Sequence, residues 1–118
     1  AVPELKLVVP HIGGLIPYSL GRLDKGFRTH AACSELIKKP PSEYLKNIYI
    51  DSVAFEREAL QFAVGRWGAG RVMLGSDYPQ AMGELDTCVA DVEGLDLPEA
   101  EKEMIRGGNA QKLLGLPA

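Results

Sequence analysis

The sequence predicts an α/β fold built around a small parallel sheet. Short apolar segments at residues 5–9, 48–50 and 71–75 have the character of buried strands, and segments with the hydrophobic spacing of helices lie between them. This alternation predicts parallel pairing through right-handed crossovers. Because three strands cannot close into a barrel and form a poor open sheet, the pattern also predicts one part of a larger α/β domain.

The first predicted strand, Leu5–Val9, leads through Pro10, His11 and a pair of glycines into a helix. Pro17 suits the first turn of that helix, because the N–H that proline lacks has no helical partner at this position. Apolar residues then recur at helical spacing, at Ile16, Leu20, Leu23 and Phe27.

The middle of the chain predicts an irregular connection, a strand and a second long helix. Pro40 and Pro41 exclude a helix through the segment 30–41. Ser42–Asn47 predicts a short helical turn that leads into the second strand, Ile48–Ile50. The helix that follows is predicted from an apolar stripe and ends at the glycines of the segment 68–70. The stripe consists of Phe55, Ala59, Leu60, Ala63, Val64 and Trp67.

The third strand is predicted at Arg71–Gly75, and the rest of the chain is predicted to be helical. Two short helices, Pro98–Arg106 and Asn109–Leu114, are expected at the end, and Gly107 and Gly108 are expected to separate them. An earlier helix is predicted from the apolar residues Leu85, Cys88, Val89 and Val92.

Each predicted strand is followed by a residue that can carry chemistry: His11, Asp51 and Asp77. The carboxyl ends of parallel strands meet at one edge of a sheet, where α/β enzymes build their active sites, so the three residues are expected on one face. For Asp51, a helix cap or a turn is the more ordinary interpretation. Tyr78 and Pro79 block an immediate helix after Asp77 and leave its carboxylate available to a site.

Composition narrows the function classes. The 118 residues are enough for one domain, and a net charge of −3 argues against nucleic-acid binding. No apolar stretch reaches the roughly 18–20 residues that span a bilayer, and no signal peptide is visible. Cys33 and Cys88 have no C-x-x-C spacing, so neither a disulfide framework nor a zinc knuckle is predicted. A reduced, cytoplasmic setting is expected.

Four stretches resemble one enzyme family. They are PELKLVVPHIGGLIPYSLGRLD, PSEYLKNIYIDSV, GRVMLGSDYPQAMGE and GGNAQKLLGL. Together they resemble the amidohydrolase-related metal enzymes, in the branch that contains aminocarboxymuconate semialdehyde decarboxylase and resorcylate-type decarboxylases. The resemblance implies that residues 1–118 form the carboxyl-terminal portion of a metal-bound TIM barrel, with strands six to eight and the terminal helices.

The resemblance also implies roles for two residues. His11 matches the histidine of strand six, which acts beside the metal-bound water, and Asp77 matches the aspartate of strand eight, a metal ligand that can also handle a proton. Both are therefore candidate catalytic residues, and Asp77 is the candidate metal ligand. The implied cofactor is a divalent metal, expected to be zinc, which lowers the pKa of a bound water to about 7.

The chain departs from the family pattern in its metal ligands. The family takes further ligands from an H-x-H pair and from a histidine of strand five, whereas this chain has only His11 and His30. Relatives often place a histidine near the position of Phe55 and an aromatic residue at the position of Gln80. The metal site is therefore expected to need residues beyond this chain.

Three functions remain open from the sequence. The first is the carboxyl-terminal portion of a metal-dependent hydrolase or decarboxylase that acts on a small carboxylate or ring-derived substrate, with the missing barrel portion or further copies of the chain as its partner. The second is a non-catalytic, degenerate half-barrel that binds a partner or self-associates. The third is a complete small α/β domain of unrelated function.

Overall fold

A computed structural model describes residues 4–117 and contains a three-stranded parallel sheet. The strands are β1 (Leu7–Val9), β2 (Ile48–Asp51) and β3 (Val72–Met73), in the order β1-β2-β3. Both pairings are parallel, with Leu7 opposite Ile48 and Ile50 opposite Val72. The predicted parallel sheet is confirmed, although β1 and β3 are shorter than their predicted ranges.

The helices lie between and after the strands and follow the predicted order. They are α1 (Ile16–Thr29), α2 (Pro41–Tyr44), α3 (Arg57–Trp67), α4 (Cys88–Glu93), α5 (Glu99–Glu103) and α6 (Asn109–Leu114). Short 3₁₀ turns occupy His11–Gly13, Ala31–Ser34, Leu45–Asn47 and Ala69–Arg71. None of the helices in residues 4–117 is long and apolar enough to cross a membrane.

The hydrophobic core lies between the sheet and α3. Trp67 is 2% exposed, and its indole N–H donates to the carbonyl of Ile48 at 2.8 Å, which fixes the end of α3 to the start of β2. The predicted stripe of α3 is confirmed from Leu60 onward, but Phe55 lies before the helix and is 45% exposed. The fully buried side chains include Ile50, Leu60, Val64, Val72, Val92 and Ile105.

The predicted break between the last two helices is wrong. A π-helical turn, Met104–Gly108, joins α5 directly to α6, so Gly107 and Gly108 continue the helix. Tertiary contacts override the poor helix propensity of glycine here. The carbonyl of Ile105, within this turn, accepts a hydrogen bond from the amide of Leu74 at 2.8 Å. The turn thus ties the final helices to the end of β3.

Asn109 makes the second tie between α6 and β3. Its side chain is 6% exposed, and its Nδ2 donates to the carbonyls of Ala69 and Val72, both at 2.7 Å. A buried amide that satisfies one carbonyl in the turn before β3 and one in β3 itself is costly to replace, because these carbonyls would lose that partner away from water. The Gly-Gly-Asn sequence therefore has a structural role in this chain.

The two edges of the sheet differ in burial. In β1, Leu7 is 46% exposed and Val8 is 49% exposed. Successive strand residues point to opposite faces, so β1 is open on both sides. In β3, by contrast, Val72 is 0% and Met73 is 9% exposed. The sheet is thus closed by helices at one edge and open at the other.

Candidate active site

His11 and Asp77 meet across the carboxyl end of the sheet. The Nε2 atom of His11 lies 3.4 Å from Oδ1 of Asp77, although the residues are 66 positions apart. One follows β1 and the other follows β3, with the end of β2 between them. The His11 side chain is 60% exposed and that of Asp77 is 23% exposed. The structure therefore brings the two predicted site residues together at the predicted edge.

The backbone is strained in all three loops at this edge. Among residues 4–117, the non-glycine residues with positive φ are His11 (57°), Ile12 (51°), Phe55 (56°) and Asp77 (57°). Such conformations cost about 1–3 kcal/mol each and cluster at functional sites, where the surrounding structure holds them. Each of the four follows a strand, so the strain is concentrated where the candidate site lies.

His11 is presented by a tight turn that depends on the glycines after it. The amide of Gly13 donates to the carbonyl of Pro10 at 3.2 Å, and that of Gly14 donates to the carbonyl of His11 at 2.8 Å. Gly13 has φ of 77°, and a Cβ there would lie 2.9 Å from Cγ2 of Ile50. The turn can therefore approach β2 closely only because this residue is glycine.

Asp77 is held by a loop that folds back on itself. The amide of Gln80 donates to the carbonyl of Asp77 at 2.9 Å, and the amide of Glu84 donates to the carbonyl of Ser76 at 2.8 Å. A Cβ at Gly83 would lie 2.6 Å from the carbonyl oxygen of Asp77. Gly83 was not among the predicted site residues, because no local pattern shows that residue 83 returns to the backbone of residue 77.

Asp51 lies between these two residues but its carboxylate is engaged by the backbone. Its Oδ1 accepts hydrogen bonds from the amide of Ile12 at 3.0 Å and from that of Val53 at 3.1 Å. The bond to Val53 has the two-residue spacing of an Asx turn, so the turn interpretation holds. The helix-cap interpretation is wrong, because α3 begins only at Arg57.

An open depression of about 400 Å³ lies in front of the pair. Its volume falls within the range of pockets that take small ligands. It combines an imidazole and a carboxylate with an amide and an apolar wall. The lining residues are His11, Asp77, Gln80, Ala81 and Met82.

The donor set fits part of a metal site. Within residues 4–117, no three His, Cys, Asp or Glu side chains are grouped so that they could hold an ion. His11 and Asp77 supply one nitrogen and one carboxylate, whereas a catalytic zinc uses three protein ligands. His30 does not join them, because it caps the far end of α1 and is exposed.

The chain matches a known protein family over nearly its whole length. A sequence model of the amidohydrolase family matches residues 1–116. The chain belongs to the amidohydrolase family. The predicted family is therefore confirmed.

The relatives that the chain matches include decarboxylases. It is 36% identical, over 98% of its length, to 2-amino-3-carboxymuconate-6-semialdehyde decarboxylase of Dictyostelium discoideum, and it covers 32% of that protein. It superposes on 5-carboxyvanillate decarboxylase of Sphingomonas paucimobilis with a TM-score of 0.82 and 32% identity, covering 98% of this chain and 35% of the other.

A second solved structure carries a metal and a ligand. It is a dihydroxybenzoic acid decarboxylase of Polaromonas sp. JS666 with bound manganese and the inhibitor 2-nitroresorcinol. The TM-score is 0.82 at 28% identity, and the match covers 96% of this chain and 34% of that one. The chain thus spans about a third of the length of these relatives. Its sheet matches a portion of their TIM barrel, which confirms the predicted fold class.

Proposed function

We propose that this chain is the carboxyl-terminal portion of a metal-dependent decarboxylase whose substrate is a small aromatic or ring-derived carboxylate. The observation that carries the proposal is the His11–Asp77 pair, with 3.4 Å between Nε2 and Oδ1, at the mouth of a depression of about 400 Å³. The relatives named as decarboxylases support the reaction class. None of the three relatives named above is a hydrolase, so they do not support the predicted hydrolase reaction.

In this proposal, Asp77 would bind the metal and His11 would transfer a proton. Decarboxylation breaks the bond between a substrate carbon and its carboxylate, releases carbon dioxide and leaves that carbon in need of a proton. The Asp77 carboxylate would hold the metal, which when bound withdraws charge from substrate oxygens. The His11 imidazole can both accept and donate a proton. It lies beside Asp77, so it would deliver the proton that the substrate carbon needs.

The metal of the proposed site is a divalent ion. Imidazole and carboxylate ligands suit both zinc and manganese, so the donor set does not choose between them. Solved structures that resemble this chain contain manganese. Zinc stays a prediction, and we propose manganese as the first metal to test.

The remaining ligands must come from another part of a barrel. The open β1 strand supports this, because Leu7 and Val8 are each about half exposed on a strand type that is normally covered on both faces. We propose that the missing barrel portion pairs with β1 and brings further ligands toward His11 and Asp77. No observation on residues 4–117 favours the alternative of a non-catalytic half-barrel. A cytoplasmic location and self-association stay predictions.

The test uses the protein with its barrel complete and loaded with manganese or zinc. Release of carbon dioxide would be measured from 2,6-dihydroxybenzoate, 5-carboxyvanillate and 2-amino-3-carboxymuconate-6-semialdehyde. Asp77→Ala should lose metal and activity together, whereas His11→Ala should lose activity more than metal, because the imidazole acts beside the ion. Glu43→Ala, on the exposed helix α2, is the control and should change neither. Wild-type turnover in His11→Ala would remove the catalytic assignment.

A further inference from the structure

We infer that Asp51 is a positioning residue that sets the place of His11 relative to Asp77. The expected effect on kcat rests on the proposed function, whereas the expected effect on the distance between His11 and Asp77 does not. Asp51 ends β2, the strand between those that lead to His11 and to Asp77. Its side chain connects the two loops.

The first connection is to the turn that carries His11. Oδ1 of Asp51 accepts from the amide of Ile12, the residue directly after His11. His11 and Ile12 both have positive φ, at 57° and 51°. Two consecutive left-handed residues that are not glycine persist only when other contacts hold them. A charge-assisted bond to the amide of Ile12 is such a contact, and it acts on the strained peptide itself.

The second connection is to the loop that carries Asp77. A Cβ at Gly75, two residues before Asp77, would lie 3.0 Å from Cβ and 3.3 Å from Cγ of Asp51. The amide of Gly75 also donates to Oγ of Ser52 at 3.1 Å. The backbone of the third loop therefore packs directly on the Asp51 side chain. Asp51 is held from one side by this loop and holds the His11 turn from the other.

The geometry separates a positioning role from a proton-transfer role. Both amides, of Ile12 and of Val53, donate to the same oxygen of Asp51. The carbonyl oxygen of an asparagine can occupy that place and accept both bonds, but an asparagine cannot handle a proton or hold a metal as a carboxylate does. Asp51→Asn should therefore preserve the arrangement, and Asp51→Ala should lose it.

The experiment compares Asp51→Ala, Asp51→Asn and Ser52→Ala in the protein with its barrel complete. Crystal structures would give the distance between His11 Nε2 and Asp77 Oδ1, and kinetics would separate kcat from KM. In Asp51→Ala we expect the distance to increase and kcat to fall by about 100-fold, the effect of a misplacement near 1 Å, with KM little changed. Asp51→Asn should keep the wild-type distance and most of kcat.

Ser52→Ala is the matched control. Ser52 is 5% exposed, and its Oγ accepts a hydrogen bond from the amide of Gly75. Within residues 4–117 its side chain makes no hydrogen bond to the His11 turn. The substitution removes a contact of the Asp77 loop, so it should lower the melting temperature, but it should leave His11 in its place relative to β1 and β2. The inference is overturned if Asp51→Asn is as inactive as Asp51→Ala, or if Ser52→Ala displaces His11 equally. If the wild type releases no carbon dioxide, the proposed function fails, and the crystallographic distances still decide the role of Asp51.

Discussion

At the scale of single residues, the candidate site depends on backbone that only neighbouring contacts can hold. His11 and Asp77 each have φ of 57°. Neither is glycine, so each is strained unless its loop is fixed. The loop of His11 is fixed by Asp51, and the loop of Asp77 folds back through Gly83. Asp51 and Gly83 therefore help to determine where the side chains of His11 and Asp77 lie.

Gly83 provides a residue-scale prediction. In Gly83→Ala, the new methyl group would lie 2.6 Å from the carbonyl oxygen of Asp77 and 2.8 Å from the amide nitrogen of Tyr78. Both are backbone atoms, so the clash cannot be relieved by turning a side chain. We expect Asp77 to be displaced and metal affinity in the completed barrel to fall at least tenfold, the order of effect seen when the support of a ligand is lost.

Gly70→Ala is the control for Gly83, because a Cβ at Gly70 has open space and its φ is not left-handed. Metal titration followed by calorimetry would compare the two variants with wild type. A Gly83→Ala protein that binds metal as tightly as Gly70→Ala would show that residue 83 does not support Asp77.

Local sequence predicts some of these residues and not others. His11, Asp51 and Asp77 were predictable because each follows an apolar strand, and parallel strands must share one edge. The bond between Asp51 and Ile12 spans 39 positions, and no periodicity reports a contact of that separation. The role of Gly83 was hidden for the same reason. The sequence thus indicated which candidate residues share one edge of the sheet, but not the contacts that hold them.

At the scale of elements, the carboxyl-terminal helices show where propensity fails. Gly107 and Gly108 indicate a break, yet the chain continues through a π turn. The deciding contacts are the bond from the Leu74 amide to the Ile105 carbonyl and the two bonds from Asn109 to carbonyls beside β3. These are tertiary contacts, which outweigh a propensity difference of about 1 kcal/mol per glycine. The strands were predictable from their short apolar segments and α1 from the helical spacing of its apolar residues, although Leu7, Val8 and Leu23 are 46%, 49% and 44% exposed.

The contact between α1 and α2 makes an element-scale prediction about pH. Oδ1 of Asp24 accepts from the amide of Ser42 at 3.0 Å, and this bond, with a further bond to the Ser42 side chain, holds the pKa of the Asp24 carboxyl below its usual value. A lowered pKa in the folded state means stability that is present above the unfolded pKa of about 3.9 and is lost as pH falls through the folded value.

Asp24→Asn should remove this pH-dependent part of stability. We expect the melting temperature of wild type to exceed that of Asp24→Asn near neutral pH, and the difference to shrink below about pH 4. Asp86→Asn is the matched control, because Asp86 is an exposed carboxylate in the loop before α4. Its melting temperature should stay close to that of wild type from pH 7 to pH 3. A difference between wild type and Asp24→Asn that stays constant from pH 7 to pH 3 would contradict the assignment.

At the scale of the whole molecule, the described chain is less compact than a domain of its length. Its radius of gyration is 15.4 Å, whereas a compact domain of this size has about 13.5 Å. The chain also spans about a third of the relatives that it matches. Both observations agree with a sheet that has one open edge.

The isolated chain should also bind metal weakly. His11 and Asp77 are two donors, and a tightly bound catalytic ion needs at least three protein ligands. We expect the 118-residue chain, dialysed after exposure to zinc or manganese, to retain far less than one ion per chain by elemental analysis. The completed barrel, treated identically, should retain the metal. A stoichiometric ion in the short chain would mean that it holds a ligand set which His11 and Asp77 do not explain.

Association is the clearest consequence of the open edge. β1 presents Leu7 and Val8, each about half exposed, together with an unpaired backbone edge. Exposed strand edges pair with other chains, and large apolar patches are rare on monomers. At roughly 25 cal/mol per Å², covering about 400 Å² of such surface contributes on the order of 10 kcal/mol. This is comparable to the whole stability of a typical domain.

We therefore expect the isolated 118-residue chain to associate with copies of itself at low micromolar concentration, as measured by light scattering. Val8→Lys should weaken this association, because a lysine on β1 opposes edge pairing. Leu36→Lys is the matched control. Leu36 is 96% exposed but belongs to the connection after α1 and to none of the three strands, so its replacement should leave the association unchanged. A stable, cooperatively folded wild-type monomer at this concentration would count against a partial barrel that needs its neighbour, since β1 would then tolerate water on both faces.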